Sequence, residues 1–380
     1  MSTPALFTPL ALRDVTLKNR IAVSPMCQYV ATDGVPNDWH FVHLGRFAIG
    51  GAGLVMVEAT AVEPEGRISH GCLGLWNDEQ QAQMARIVAF LKSQGAVPAI
   101  QIGHAGRKAS THRPFEGGGP VTAENAKPGE APWRTVAPSA IPFAEGYPTP
   151  HALTADEIQV LTGKFVDSAR RALAAGFEVL EIHGAHGYLL TEFLSPISNQ
   201  RTDQYGGDIN GRMRFLLETV EAVRTVWPAD KPLFMRLSTV DGTPGGWSLE
   251  DSVVLAKELK ARGVDVVDSS SGGLTTSMEA ANKPGPLYQT PYAETVRREA
   301  GIATMAVGLI TQPQEAEAII AEGRADIVAI GRAFLENPNW PQDAKAVLDP
   351  EHIGDATWPA ATGYAVKAIK GIKKKFGLAA

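Results

Sequence analysis

The 380-residue sequence has little cysteine, no long apolar run and little excess charge of either sign. Its two cysteines, Cys27 and Cys72, cannot form a disulfide framework and are too few for an iron–sulfur cluster or a cysteine-rich zinc site. No segment reaches the ~18 apolar residues of a membrane span, and the N-terminal segment lacks the pattern of a signal peptide. The net charge of −6 argues against nucleic acid as the main partner. We predict a cytoplasmic protein with reduced thiols and no membrane partner.

Eight short segments rich in Val, Ile and Ala are present, each bounded by Gly, Pro or polar residues. Their lack of strict alternation is typical of parallel strands covered on both faces. Helical periodicity fills most of the gaps, as at 155–176, where Thr154 is the predicted N-cap and Gly176 the predicted stop. The strands are predicted at 20–26, 53–60, 96–102, 177–183, 232–238, 264–269, 302–308 and 325–331.

Eight β–α units in series predict an α/β fold of the (β/α)8 TIM-barrel type, formed by one domain over 1–380. The segment before the first strand is predicted to form a β-hairpin that caps the bottom of the barrel. A doubly wound open sheet is the alternative fold.

Two segments depart from the repeating pattern. The loop after the third strand, 112–150, contains eight prolines and five glycines in 39 residues. It leaves the face on which barrels place their active sites, so we predict an active-site loop that covers the substrate, with a surface excursion as the alternative. Residues 340–380 are predicted to form a C-terminal extension.

The C-terminal ends of the predicted strands carry a set of polar residues and glycines. Gln101 and Arg236 would direct polar groups toward the barrel centre, where a flat heterocycle could supply their partners. Gly308 and the pair Gly331-Arg332 end the last two strands, where barrels often bind phosphate. Together these residues predict a phosphorylated aromatic cofactor across the barrel mouth.

The segment EIHGAHGY, 181–188, places two histidines three residues apart and a tyrosine just after them. His183 and His186 could bind a metal, but no third ligand is obvious among the strand ends. They could also be a packed core pair, or two donors to one substrate oxygen on which negative charge builds. In the last case Tyr188 would be a natural proton donor.

Several segments of the sequence resemble the Old Yellow Enzyme family, in particular its thermophilic-like class of FMN-dependent ene-reductases. They are SPMCQY (24–29), EATAV (58–62), QIGHAGRK (101–108), EIHGAHGYLLTEFLSPISNQRTDQYGGDINGRMRF (181–215), FMRLS (234–238) and GRADIVAIGR (323–332). The resemblance covers the chain from Leu6 to about Asn339. It implies a TIM barrel that binds FMN non-covalently, with NADPH or NADH as hydride donor and no metal. A ping-pong mechanism would then reduce activated C=C bonds of α,β-unsaturated carbonyl or nitro compounds by hydride transfer from flavin N5.

The resemblance also implies roles for individual residues. Tyr188 would protonate the substrate, His183 and His186 would hold its oxygen, and Tyr29 and Cys27 would contact it. The residues implied to contact FMN are Ser24, Pro25, Met26, Cys27, Ala59, Gln101, Arg236, Gly308, Gly331 and Arg332. The protein would be a homodimer or homotetramer that acts on a small molecule. A metal-dependent barrel hydrolase and a flavin-binding redox sensor built around Cys27 are the alternatives.

Overall fold

The computed structural model describes residues 3–276, 283–350 and 358–377. In chain order its strands are β1 (Leu10–Leu12), β2 (Val15–Leu17), β3 (Ile21–Val23), β4 (Leu54–Ala61), β5 (Val97–Gly103), β6 (Val136–Ala137), β7 (His151–Ala152), β8 (Val179–Gly184), β9 (Leu233–Ser238), β10 (Val266–Ser270), β11 (Ala303–Ala306) and β12 (Ile327–Ile330). The α-helices are α1 (Asp38–Ile49), α2 (Asp78–Ser93), α3 (Ala155–Ala174), α4 (Leu189–Leu194), α5 (Ile209–Arg224), α6 (Leu249–Ala261), α7 (Thr290–Ala300), α8 (Pro313–Ala321), α9 (Arg332–Glu336), α10 (Trp340–Leu348) and α11 (Ala360–Lys375).

Eight of these strands close into a parallel barrel. The strands β3, β4, β5, β8, β9, β10, β11 and β12 each pair with the next in chain order, and β12 pairs with β3. Helices α1 to α8 lie in the connections between them. This architecture confirms the predicted (β/α)8 barrel and shows that the open-sheet alternative is wrong.

The interior of the barrel is apolar at its bottom. Alternate residues of the strands point inward and pack together, among them Leu54, Met56, Val97, Ala99, Val179, Phe234, Val266, Met305 and Ile327. The antiparallel hairpin β1–β2 joins this cluster through Val15 and Leu17, which agrees with the predicted hairpin cap. Because the bottom is closed by packed side chains, a ligand could enter only from the other end.

The helix boundaries follow from local sequence signals. Thr154 Oγ1 accepts a hydrogen bond from the Glu157 backbone N–H at 3.2 Å, and a Glu157 carboxylate oxygen accepts from the Thr154 N–H at 2.7 Å. Gly176 has φ +92° and lies two residues beyond the end of α3. The predicted start and stop of this helix are therefore confirmed.

The predicted loop 112–150 forms the connection between β5 and α3. It contains β6, which pairs in parallel with β7 just after the loop. Arg107, in the turn that follows β5, donates from Nη1 to the carbonyl oxygens of Ile141 and Pro142 at 3.2 and 3.3 Å. The loop is thus fastened to the C-terminal end of the barrel. The predicted extension 340–380 includes α10 and α11, and residues 351–357 and 378–380 lie outside the described residues.

Across the three described ranges, no helix combines the length and the apolar character that crossing a membrane would require.

Candidate active site

Above the apolar cluster, the inward-facing residues become polar. Gln101, Glu181, Arg236 and Asp268 form what we call the buried polar layer; each is at most 6% exposed. Gln101 Nε2 donates to Glu181 Oε1 at 2.8 Å, and Arg236 Nε lies 3.2 Å from Asp268 Oδ2. Glu181 and Asp268 lie two residues beyond the apolar Val179 and Val266 of the same strands. Strand alternation alone therefore brings charged groups to the upper part of the barrel.

A cavity of about 240 Å³ opens at the C-terminal strand ends. Among its lining residues are eight predicted site residues, Ser24, Pro25, Met26, His186, Arg236, Gly308, Gly331 and Arg332. Ser270 and Gln289 also line it, and neither was predicted to be a site residue. The structure thus gathers residues from six different barrel strands around one space.

One side of this cavity is lined by two glycines, Gly308 and Gly331, and by the guanidinium of Arg332. Gly308 has φ +125°, and a Cβ added there would lie 2.9 Å from the Gln289 backbone nitrogen. Gly331 immediately precedes α9, which begins at Arg332. Arg332 is exposed, and within the described part of the chain its guanidinium has no hydrogen-bond or ion-pair partner. This side of the cavity can therefore accept an anionic group close to the backbone.

The two predicted histidines lie together at the end of β8. The ring centroids of His183 and His186 are 5.1 Å apart, and the rings are nearly perpendicular, at 88°. The Tyr188 ring lies 5.1 Å from that of His183 and 6.4 Å from that of His186. The structure therefore brings all three predicted residues into one cluster.

The histidines are placed as neutral hydrogen-bond donors. Burial lowers the pKa of both imidazoles well below the ordinary value, and the nearby charge of Arg236 lowers it further. His183 Nδ1 accepts from the Ala185 backbone N–H at 3.2 Å, so the proton of the neutral ring is on Nε2. His186 Nε2 lies 2.7 Å from Ser270 Oγ; when that hydroxyl donates, Nδ1 of His186 carries the proton. Each ring can thus offer one N–H to a ligand.

Tyr188 is a neutral phenol held beside a buried ammonium group. Burial raises the pKa of Tyr188 above its ordinary value, so its hydroxyl keeps the proton at physiological pH. The Lys108 ammonium lies 5.1 Å from the centre of the Tyr188 ring. Its nitrogen donates to the carbonyl oxygens of His186 and Gly273, at 2.7 and 2.8 Å. Lys108 therefore ties the loop that carries the histidine and the tyrosine to the loop after β10.

The same two loops touch through glycines with positive φ. His186 has φ +62° and Gly187 has φ +69°, so the backbone turns sharply just before Tyr188. A Cβ added to Gly187 would lie 2.2 Å from the carbonyl oxygen of Gly273. The position of Tyr188 thus depends on glycine at 187.

The predicted residues Cys27 and Tyr29 follow β3. Burial raises the pKa of Cys27 well above the ordinary thiol value, and the adjacent Glu58 carboxylate raises it further, so Cys27 is a neutral thiol. Glu58 also accepts from the Gln28 backbone N–H at 2.8 Å. Tyr29 has φ +58°. Ala59 lines a small pocket with His183 and Tyr188, which places it at the same site.

The metal interpretation of the histidine pair finds no further support. Over the ranges 3–276, 283–350 and 358–377, no three His, Cys, Asp or Glu side chains form a group that could hold a metal ion. His186 also differs from a packed core residue, because it is partly exposed to the cavity.

Sequence reasoning gave no role to Glu181, Asp268, Ser270 or Lys108. Counting by twos from Val179 and Val266 would have placed the two carboxyls inside the barrel. No comparable signal exists for the hydrogen bonds of Lys108, because they reach carbonyl groups 78 and 165 residues away in the chain.

Comparisons with known proteins agree with this site. Residues 5–351 match the model of the NADH:flavin oxidoreductase / NADH oxidase family. The NADPH dehydrogenase of Geobacillus thermodenitrificans (strain NG80-2) is 47% identical over 345 residues, which are 90% of this chain and 94% of that protein. The NADPH dehydrogenase of Listeria innocua serovar 6a is also 47% identical, over 90% of this chain and 95% of that protein.

Solved structures show the same architecture. Morphinone reductase superposes with a TM-score of 0.75 at 29% sequence identity, covering 91% of this chain and 90% of that chain. Its complex with tetrahydroNAD gives a TM-score of 0.74. The chain therefore belongs to the NADH:flavin oxidoreductase / NADH oxidase family, which confirms its resemblance to the Old Yellow Enzymes, and is an NAD(P)H-dependent oxidoreductase that uses FMN.

Proposed function

We propose that this chain reduces C=C bonds conjugated to a carbonyl or nitro group. The observation that carries the proposal is the cluster of His183, His186 and Tyr188, whose rings lie 5.1–6.4 Å apart beside the cavity at the barrel mouth. Two neutral N–H donors and one protonated phenol suit a substrate that gains negative charge on one oxygen and then a proton on carbon.

The cavity and the polar layer fit FMN. Ser24 Oγ and Arg236 Nε are buried and have no hydrogen-bond partner in the described chain, and a heterocycle with ring nitrogens and carbonyls would supply partners. We assign the ring to Ser24, Pro25, Met26, Cys27, Ala59, Gln101 and Arg236. We assign the phosphate to Gly308, Gly331 and Arg332, where the backbone leaves room and a guanidinium is free.

FMN, when bound, supplies hydride transfer from the nicotinamide to the substrate. His183 and His186 bind the carbonyl or nitro oxygen and stabilise the charge that develops there, which single donors of this kind do by ~10²–10³-fold. Tyr188 holds its proton at the hydroxyl oxygen and delivers it to the α-carbon. Cys27 and Tyr29, which follow β3, form one wall of the substrate site.

We assign the loop 112–150 to the active site as a cover. Phe143 of this loop lies 4.7 Å from the Lys108 ammonium, which also contacts the Tyr188 ring. The loop therefore contacts Lys108, which in turn contacts Tyr188. Within this proposal the chain folds as one domain with an extension at 340–380. The cytoplasmic location and the homodimer or homotetramer remain predictions.

The substrate class is tested by product analysis. Purified protein, NADPH and 2-cyclohexenone should give cyclohexanone and consume one NADPH per ketone formed, whereas cyclohexanone itself should consume none. A chelator should leave the rate unchanged. Bound FMN without any product would favour the redox-sensor alternative, and loss of activity to a chelator would favour a metal-dependent enzyme.

Replacing Cys27 by Ser should change the reduction potential of bound FMN. A thiol and a hydroxyl differ in donor strength and polarisability, so we expect a three- to tenfold change in relative affinity for oxidised and reduced FMN, ~15–30 mV. Equal potentials in Cys27→Ser and the unmodified protein would assign Cys27 a packing role only.

Replacing Gly187 by Ala should slow the reaction with enone by ~100-fold, because a displacement of about 1 Å at a reacting group has effects of this size. The added methyl would collide with the Gly273 carbonyl oxygen and move Tyr188. Gly207→Ala is the control, since Gly207 also has a positive φ, +75°, but an added Cβ meets nothing within 4 Å. Similar rates in the two variants would contradict the positioning role of Gly187.

A further inference from the structure

The buried polar layer holds two carboxyl groups and only one cation. Glu181 and Asp268 are both fully buried, on β8 and β10, and Arg236 stands between them on β9. Arg236 lies within ion-pair distance of Asp268, while Glu181 is hydrogen-bonded to the neutral Gln101. Beneath the layer are Val179, Phe234 and Val266, so solvent cannot reach it from below.

Two ionised carboxylates would leave this layer with an uncompensated buried charge, which is strongly unfavourable away from water. Glu181 Oε2 and both Asp268 oxygens have no hydrogen-bond partner among the described residues. Burial raises the pKa of both carboxyl groups; the charge of Asp268 raises that of Glu181 further, while Arg236 lowers both. Carboxyl groups that interact in this way titrate as a pair, with one proton retained between them.

We propose that Glu181 and Asp268 share one proton beside Arg236 and thereby set the net charge that the layer presents to the FMN cavity. The layer is then neutral, with one negative charge on the pair and one positive charge on Arg236. Both carboxyls are positioning residues: Asp268 holds the Arg236 side chain, and Glu181 holds the Gln101 amide. The proposal rests on the proposed placement of FMN beside Arg236.

A shared proton makes a distinctive prediction for isosteric variants. In Glu181→Gln or Asp268→Asn the remaining carboxyl ionises, so the layer stays neutral and the relative affinity for reduced and oxidised FMN changes by less than ~3-fold. In the double variant Arg236 has no counter-charge, and reduced FMN, which carries more negative charge, is favoured by at least ~10-fold, equal to ~30 mV for a two-electron couple. The potential should therefore rise far more than the two single shifts add up to.

The surface offers a matched control. Arg262 contacts Glu221 and Glu258 through ion pairs of 2.6 and 2.5 Å, so it also joins one arginine to two carboxylates, but all three are partly exposed. The double variant Glu221→Gln/Glu258→Gln removes the same two groups where water screens them. Its FMN potential should equal that of the unmodified protein.

The experiment measures the reduction potential of bound FMN in the single and double variants, and infrared spectra of the apoproteins. The protonated carboxyl C=O band of the pair should disappear in both single variants.

Equal potential shifts in the two single variants that add up to the shift of the double variant would show two ionised carboxylates and overturn the proposal. A protonated carboxyl C=O band that persists in either single variant would overturn it too. If the double variant fails to fold, the single variants still decide between these cases. If FMN placement is wrong, the infrared result stands while the potentials do not respond.

Discussion

Tyr188→Phe is expected to slow the reaction of the reduced enzyme with 2-cyclohexenone by ~10²–10⁴-fold, the usual contribution of a positioned proton donor. Phenylalanine keeps the ring beside Lys108 but removes the hydroxyl that we propose protonates the substrate. Reduction of the enzyme by NADPH needs no proton from this residue and should keep its rate. Stopped-flow absorbance measures the two half-reactions separately.

The control for this variant removes a tyrosine hydroxyl elsewhere. Tyr205 donates to Glu218 at 3.0 Å and accepts from Gln159 at 2.7 Å, in contacts between α3 and α5 outside the barrel. Tyr205→Phe should alter stability but neither half-reaction. If Tyr188→Phe slowed both half-reactions to the same extent, Tyr188 would have a structural role and the proposed proton donor would be another group.

Arg236→Leu is expected to have two separate effects, one on folding and one on FMN. Leucine would leave Asp268 buried without its ion-pair partner, which typically destabilises a fold by ~3–5 kcal/mol. It would also remove the cation that, in the proposed placement of FMN, stabilises the reduced form, so the variant should bind FMN poorly or resist reduction. Urea unfolding and the FMN content of the purified protein measure these effects.

A second variant separates the two effects. Arg236→Leu/Asp268→Asn removes both members of the ion pair, so most of the lost free energy of unfolding should return. FMN should remain hard to reduce, because the cation is still missing. Full FMN loading and normal reduction in either variant would contradict the assigned role of Arg236.

The sequence predicted the barrel because its strands are apolar, short and mostly separated by amphipathic helices. It predicted the cluster of His183, His186 and Tyr188 because these residues are adjacent in the chain. Boundaries were less accurate: β11 ends at Ala306, whereas the segment 302–308 was predicted as strand, since Gly308 adopts a φ of +125° that strands do not use.

Contacts between distant segments could not be predicted in the same way. The ion pair of Arg236 with Asp268 depends on the register of β9 against β10, which the separate strand patterns do not specify. No sequence pattern predicts the hydrogen bonds of Lys108 to two backbone carbonyls, because any residue can supply a carbonyl. The sequence therefore does not reveal which charged residues meet in the polar layer; the pairing of the strands in the closed barrel does.

The most direct test of the proposed function is an anaerobic visible spectrum of the purified protein during two additions. NADPH should bleach the flavin absorbance, and 2-cyclohexenone should then restore it, because the enone accepts the electrons in the absence of oxygen. Bleaching that the enone does not reverse would contradict the assignment of the substrate class. A protein that shows no flavin absorbance, even after incubation with FMN, would contradict the assignment of the cavity to FMN.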